Sequence, residues 1–244
     1  MRAGFACLVG VSAGCLAAWA THTVAGATPG ALGGIVIVLV LGMGAAATSL
    51  ASWHHRPGLP AFAAAAALVC VGWRRTVPPS ELWLTWIVDT LWVMGGFLVA
   101  YAAAWAVDTQ IVFRALPQRP PPKEATPRLL LTRFLPCCLL TGAGGAMVLG
   151  WGASGRHVNA GLVALAFGLG AAVAVRVFPT VSTIWVTFGG LWAAGMVGLV
   201  GLSEPGPALG GARSAAWRGW NAHLFVSVAV CSALVGSWLA RLRR

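Results

Sequence analysis

Residues 82–106 read LWLTWIVDTLWVMGGFLVAYAAAWA, and across those twenty-five positions the single charged side chain is Asp89. A helix rises about 1.5 Å per residue, so a stretch of this length covers the ~30 Å hydrocarbon thickness of a bilayer. Seven further apolar runs, each bounded by charge, proline or polar loops, lie on either side of it: Ala3–Ala20, Ala31–Trp53, Leu59–Trp73, Leu129–Gly152, Asn159–Val175, Thr180–Leu202 and Trp220–Ala240. Inside lipid the backbone must satisfy its own hydrogen bonds, which favours helices. The expectation is therefore an all-α, polytopic helical transmembrane bundle of about eight spans. The run Leu59–Trp73 is short and also reads as a re-entrant or tilted segment.

The whole chain agrees with that stretch. It has 244 residues, 59% apolar and 9% charged, with 32 glycines and 13 tryptophans, and a mean hydropathy of +0.83. A water-soluble domain carries about a quarter charged residues, so that class is excluded. Disorder, collagen and a disulfide scaffold are excluded by low charge, unperiodic glycine and only six cysteines.

The net charge of +11 does not point to nucleic acid, because the cations fall in short groups between apolar runs and form no soluble basic face. Counted on alternating sides of eight spans, eleven cations fall on one side: Arg2, Arg56, Arg114, Arg119, Lys123, Arg128, Arg133, Arg176, Arg241, Arg243 and Arg244. Five fall on the other: Arg74, Arg75, Arg156, Arg213 and Arg218. Positive residues stay inside, which puts both termini in the cytoplasm and the protein in the cell membrane. Tryptophans at the run ends, among them Trp19, Trp53, Trp73, Trp105 and Trp151, fit the head-group level. Met1-Arg2, an apolar run and Ala18-Trp19-Ala20 also fit a cleaved secretory signal, which leaves seven spans.

Residues 1–244 are expected to form one integral membrane domain, with 107–128 as a proline-rich cytoplasmic linker between its two halves. Pro117, Pro120, Pro121, Pro122 and Pro127 oppose regular helix there. No internal repeat marks inverted transporter halves.

Lipid tails compete for apolar contact, so helices in a bilayer associate where small residues let backbones approach. Such spacings occur at Ala146 and Gly150, at Ala164 and Gly168, at Ala166 and Gly170, and at Gly190, Ala194 and Gly198. Those three consecutive helices are expected to pack tightly on one another. The same faces suit a second copy of the chain or another membrane protein. Pro136 is expected to kink its helix near Cys137 and Cys138. All six cysteines lie inside the expected spans and read as small apolar packing residues; Cys137-Cys138 lacks C-x-x-C spacing and a nearby histidine, and neither metal nor cofactor is expected.

An ionisable group within hydrocarbon is a functional candidate by default. Asp89 lies seven residues into its run, and His223 lies near the start of the last, at similar depth below the outer surface. Asp89 suits a helix fastener with Arg75 or His223, or a proton or ion path. Ser154 and His157 fall in the outer loop between the fifth and sixth spans. A hydroxyl nucleophile, a base and an orienting carboxylate can thus converge on one face, as acyl transfer needs.

Gly152-Ala153-Ser154-Gly155, with two spans following and Ala222-His223-Leu224 opening the last, resembles the G-x-S-G and alanine–histidine elements of rhomboid intramembrane serine proteases. The resemblance covers about the last third of the chain. It implies Ser154 as nucleophile and His223 as its base, reached from the outer side. The chain departs from the pattern in having no earlier H-x-x-x-N for an oxyanion hole, and in Arg156-His157 after the motif. Trp92-Val93-Met94-Gly95-Gly96, with Arg133-Phe134 and Thr141-Gly142 further on, is similar in layout to copper-resistance membrane proteins of the D type, but Asp89 stands where a histidine is expected.

The leading expectation is a non-enzymatic, membrane-embedded partner, assembly or transport-associated subunit. The alternatives are a rhomboid-like intramembrane serine hydrolase using Ser154 and His223, and a small transporter with Asp89 as its coupling site.

Overall fold

The computed structural model describes residues 82–107, 127–150, 156–179, 181–203 and 222–242, with isolated helical positions at 8, 12, 65, 66, 68 and 69. Among the described residues the structure is all helical: α1 (Leu82–Val107), α2 (Pro127–Gly150), α3 (Arg156–Val177), α4 (Thr183–Ser203) and α5 (Ala222–Leu242). Each helix coincides with one apolar run of the sequence to within about a turn at either end. The runs Ala3–Ala20, Ala31–Trp53 and Leu59–Trp73, the linker after Val107, the loop after Ser203 and the Gly152–Gly155 motif lie outside the described residues, apart from those isolated positions.

Local chemistry sets several of these ends. Pro127 opens α2, where its missing N–H costs nothing because the first turn has no acceptor for it. Pro136 sits inside α2, and the helix runs on through it to Gly150. At the end of α3 the Phe178 amide still reaches Ala174 O at 2.8 Å, Pro179 stops the helix, and Val181 N closes a turn onto Phe178 O at 3.0 Å. The Val186 amide then donates to Ser182 O at 3.2 Å as α4 begins.

Among the described residues, two helices are by length and composition long and apolar enough to cross a membrane: Ala160–Val177 within α3, and α5 itself. Shorter apolar segments, Trp86–Val99 and Thr183–Leu199, lie in α1 and α4.

The chain separates into two compact units. One comprises Met1–Arg74 with Trp92–Thr126, the other Arg75–Leu91 with Pro127–Arg244. In the first unit Val93 and Phe97 of α1, together with Ala65 and Leu68, are fully buried.

In the second unit α2 and α5 each pack against both α3 and α4, whereas α3 and α4 scarcely touch. Of the three consecutive helices expected to pack tightly, α2 therefore does pack on both α3 and α4, while α3 and α4 stay apart. The reason lies in α5, whose small residues carry it between the other two. Gly236 meets the backbone of Gly168 on α3, and a Cβ on Gly190 of α4 would lie 3.4 Å from Ala233 Cβ. Of the predicted glycines, Gly168, Gly170, Gly190 and Gly198 are used, with different partners, while Ala146 and Gly150 lie outside the residues whose surroundings are described. Gly170 faces the backbone of Leu140 and Thr141 on α2, and Gly168 faces Ser232 on α5. A cluster of Cys137, Ala171, Ala174, Val175, Val181, Val186, Ala233 and Ala240 fills the space where the four helices meet, flanked by Phe178 and Trp185. Thr141 Oγ1 donates back to Cys137 O at 2.8 Å and also lies 3.5 Å from Gly189 O on α4.

The outward faces are apolar. Leu131, Leu135 and Leu139 form an exposed stripe on α2, Leu165, Leu169, Val173 and Val177 on α3, and Val235, Leu239 and Leu242 on α5. Spacings of three and four residues place each set on one side of its helix. Among the side chains described, Arg176 is the only charged one that is exposed. Asp89, His223, Thr141, Thr187, Ser227 and Ser237 are buried instead.

Candidate functional site

Asp89 and Trp86 lie three residues apart on α1, so one face of that helix carries both a carboxylate and an indole. On α5 the facing residues are His223 and Phe225 in the first turn. His223 Nδ1 lies 3.3 Å from Asp89 Oδ2, with side-chain exposures of 1% and 4%. The rings of Trp86 and Phe225 are 5.8 Å apart and tilted, and Phe167 of α3 meets Phe225 edge-on at 6.1 Å. An apolar aromatic wall thus closes one side of a carboxylate–imidazole pair.

Glycine on α4 permits this approach. The Trp86 indole occupies the space where a side chain at residue 198 would stand, and a Cβ on Gly195 would come within 3.2 Å of Thr90 Cγ2. Any larger residue at 198 would push α1 away and carry Asp89 with it.

Burial of the pair has an energetic meaning. An isolated charge in a low-dielectric interior is very unfavourable, so buried ionisable groups are found paired. With a proton on Nδ1 the imidazole turns a donor toward the carboxylate and keeps Nε2 as its second exchangeable position. That arrangement can orient a base, hold a proton or tie two helices together. Of the two partners foreseen for Asp89, the structure brings His223 to it, and Arg75 lies outside the described residues.

The structure joins Asp89 to His223; Ser154 lies outside the described residues, as does the side chain of His157. Trp86, Thr90 and Ser227 escaped the sequence reading. Trp86 and Ser227 were within reach of helical spacing, at i−3 from Asp89 and i+4 from His223. Nothing in the sequence pairs Trp86 with Gly198.

A second polar arrangement stands at the far end of α5. Arg241 Nη2 donates to Val181 O at 2.6 Å and Nη1 to Thr183 Oγ1 at 3.2 Å. The guanidinium fork therefore clamps the end of α5 to the start of α4. Phe134 and Trp185 meet edge-on at 5.5 Å and tie α2 to the start of α4.

No protein-family model, no curated protein and no solved structure matches this chain.

Proposed function

We propose that this chain is a multi-pass integral protein of the cell membrane, with eight spans and both termini cytoplasmic, that works as a non-enzymatic partner, assembly or transport-associated subunit. The observation that carries this reading is the inverted polarity of the helices. Leucine and valine stripes face outward on α2, α3 and α5, while Asp89, His223 and Ser227 face inward. In water such a surface would expose apolar area far beyond what a monomer carries, whereas in a bilayer it meets acyl chains. The lipid bilayer is thus the first partner. A second copy of the chain, or another membrane protein, would pack on small-residue faces of the same kind as those that join the described helices.

Two measurements test the reading. After alkaline carbonate extraction the chain should stay with the membrane pellet. Tags at the two ends should be reached by protease only after the cytoplasmic side is opened, and a tag in the loop after Ser203 should be reached from outside. A soluble chain, or termini on opposite sides, would refute it. A stoichiometric companion retained in mild detergent would support the subunit role.

One observation favours a second reading, a rhomboid-like serine hydrolase. Asp89 stands at Nδ1 of His223, where an orienting carboxylate would leave Nε2 to take a proton from Ser154. A fluorophosphonate probe should then label the wild-type protein and not Ser154→Ala. Folded wild-type protein that stays unlabelled would remove this reading.

A further inference from the structure

Several hydroxyl side chains on these helices spend their hydrogen bond locally. Thr141, Thr187, Ser232 and Ser237 each donate to a carbonyl three or four residues back in their own helix. Every serine and threonine within a helix has such a carbonyl within reach. Thr90 and Ser227 do not use it. Thr90 Oγ1 and Ser227 Oγ are sealed from solvent with no hydrogen-bond partner, and Ser227 has no exposed surface at all. Both lie beside the carboxylate–imidazole pair in sequence: Thr90 follows Asp89 directly, and Ser227 is one turn along α5 from His223, on the same side.

A buried hydroxyl is costly unless its hydrogen bond is made, and here two unspent hydroxyls flank the buried carboxylate–imidazole pair. A hydroxyl can accept one hydrogen bond while donating another. An imidazole beside a carboxylate can gain a proton at one ring nitrogen and release one from the other. Chains of such groups inside a membrane mark proton paths.

The geometry points to a proton-carrying station formed by Asp89, His223, Thr90 and Ser227, with H⁺ from water as its ligand. It rests on the multi-pass reading above and gives the transport-associated form of that reading a substrate. Loading forms one N–H bond on His223 and breaks one O–H bond of hydronium. Unloading passes a proton from Nδ1 to Asp89 Oδ2 and from there to a water, the Asp89 O–H bond breaking as an O–H bond of hydronium forms. The Thr90 and Ser227 hydroxyls, whose hydrogen bonds are unspent, are the groups that would hold that water. No electron moves, and the net change is one proton displaced.

The surrounding elements bring few rivals. On α1 Asp89 is the only charged residue, and α4 faces it with Gly195 and Gly198 and has no Asp, Glu, His, Lys or Arg. From α3 the contact is Phe167, and the ionisable Arg156 and His157 open that helix with side chains outside the described residues. On α5 the next ionisable groups are Cys231, two turns on, and Arg241 at the far end.

The test is proton flux into vesicles containing the purified full-length chain and an internal pH dye, driven by a potassium potential with valinomycin. Wild-type vesicles should acidify faster than protein-free ones. Asp89→Asn should fall to the protein-free rate. Ser227→Ala, a small change that also serves if Asp89→Asn fails to insert, should slow the flux several-fold. Ser237→Ala, whose hydroxyl returns to Leu234 O, should leave it unchanged. Wild-type flux at the protein-free level, or flux indifferent to Ser227→Ala, overturns the station. If the chain nevertheless stays in the carbonate pellet, the membrane reading survives that failure; if it is released, the membrane reading fails first.

Discussion

At its first turn α5 carries His223, sealed against Asp89 and roofed by Trp86 and Phe225; at its last turn the same helix carries Arg241, half-buried, reaching back to the start of α4. The two ends place polar atoms under different constraints. Arg241 can trade its protein acceptors for water or a head group, because a long side chain snorkels toward the polar boundary. His223 and Asp89 have no such exchange, so each depends on the other. Removing a partner should therefore be far more damaging at the first turn than at the last.

The largest effect is expected from Asp89→Ala, which leaves the imidazole buried without its carboxylate. Breaking a buried pair from one side costs about 3 kcal/mol or more, whereas replacing both members by apolar groups is often near neutral. Thermal unfolding in a mild detergent should show a large loss for Asp89→Ala and substantial recovery for the double variant Asp89→Leu with His223→Leu. Equal stability of single variant and wild type would break the comparison at its first turn.

Midway along α5, Gly236→Val should cost about 2 kcal/mol, since the new side chain meets the Gly168 backbone and neither helix can yield without separating. Gly161→Val, at a position with open space beside it, is the control and should change little. A smaller loss, about 1 kcal/mol, is expected for Arg241→Ala, because its donors lose partners at a place where solvent can replace them. Arg241→Lys should recover only part, having no planar fork to bridge Val181 and Thr183. The smallest change, about 0.6 kcal/mol, belongs to Thr141→Val, since a hydroxyl that bonds mainly within its own helix adds little between helices. If Arg241→Ala proves costlier than Asp89→Ala, the account of the two ends is reversed.

Composition and run length carried most of what the sequence made legible. An apolar run bounded by charge or proline allows few structures other than a helix, which is why the runs beginning near Leu82, Leu129, Asn159, Thr180 and Trp220 became α1 to α5. Depth along each run also brought Asp89 and His223 to one level, since distance along a helix is fixed by its rise. Neighbour order was not legible. Small-residue stripes say that a face permits close approach without saying to what, so Gly168 found Ser232 and Gly236 of α5 rather than a face of α4. Trp86 has no sequence signal of its own, because what distinguishes it is Gly198 of α4 beneath its indole, and Arg241 reads only as a tail cation for orientation. Ser227 carried no sequence signal beyond its spacing from His223, because what distinguishes it is a hydrogen bond not made within its own helix.

The central claim is that the outward leucine stripes meet hydrocarbon. Nitroxide side chains placed singly at Leu139, Leu169 and Leu239, in a cysteine-free background reconstituted into bilayers, report collisions with dissolved oxygen and with a water-soluble nickel chelate. All three positions should favour oxygen strongly over nickel, while a label at Arg176, two turns beyond Leu169 on α3, should favour nickel. Nickel access at Leu169 equal to that at Arg176 would mean that water surrounds these helices, and the account would fall.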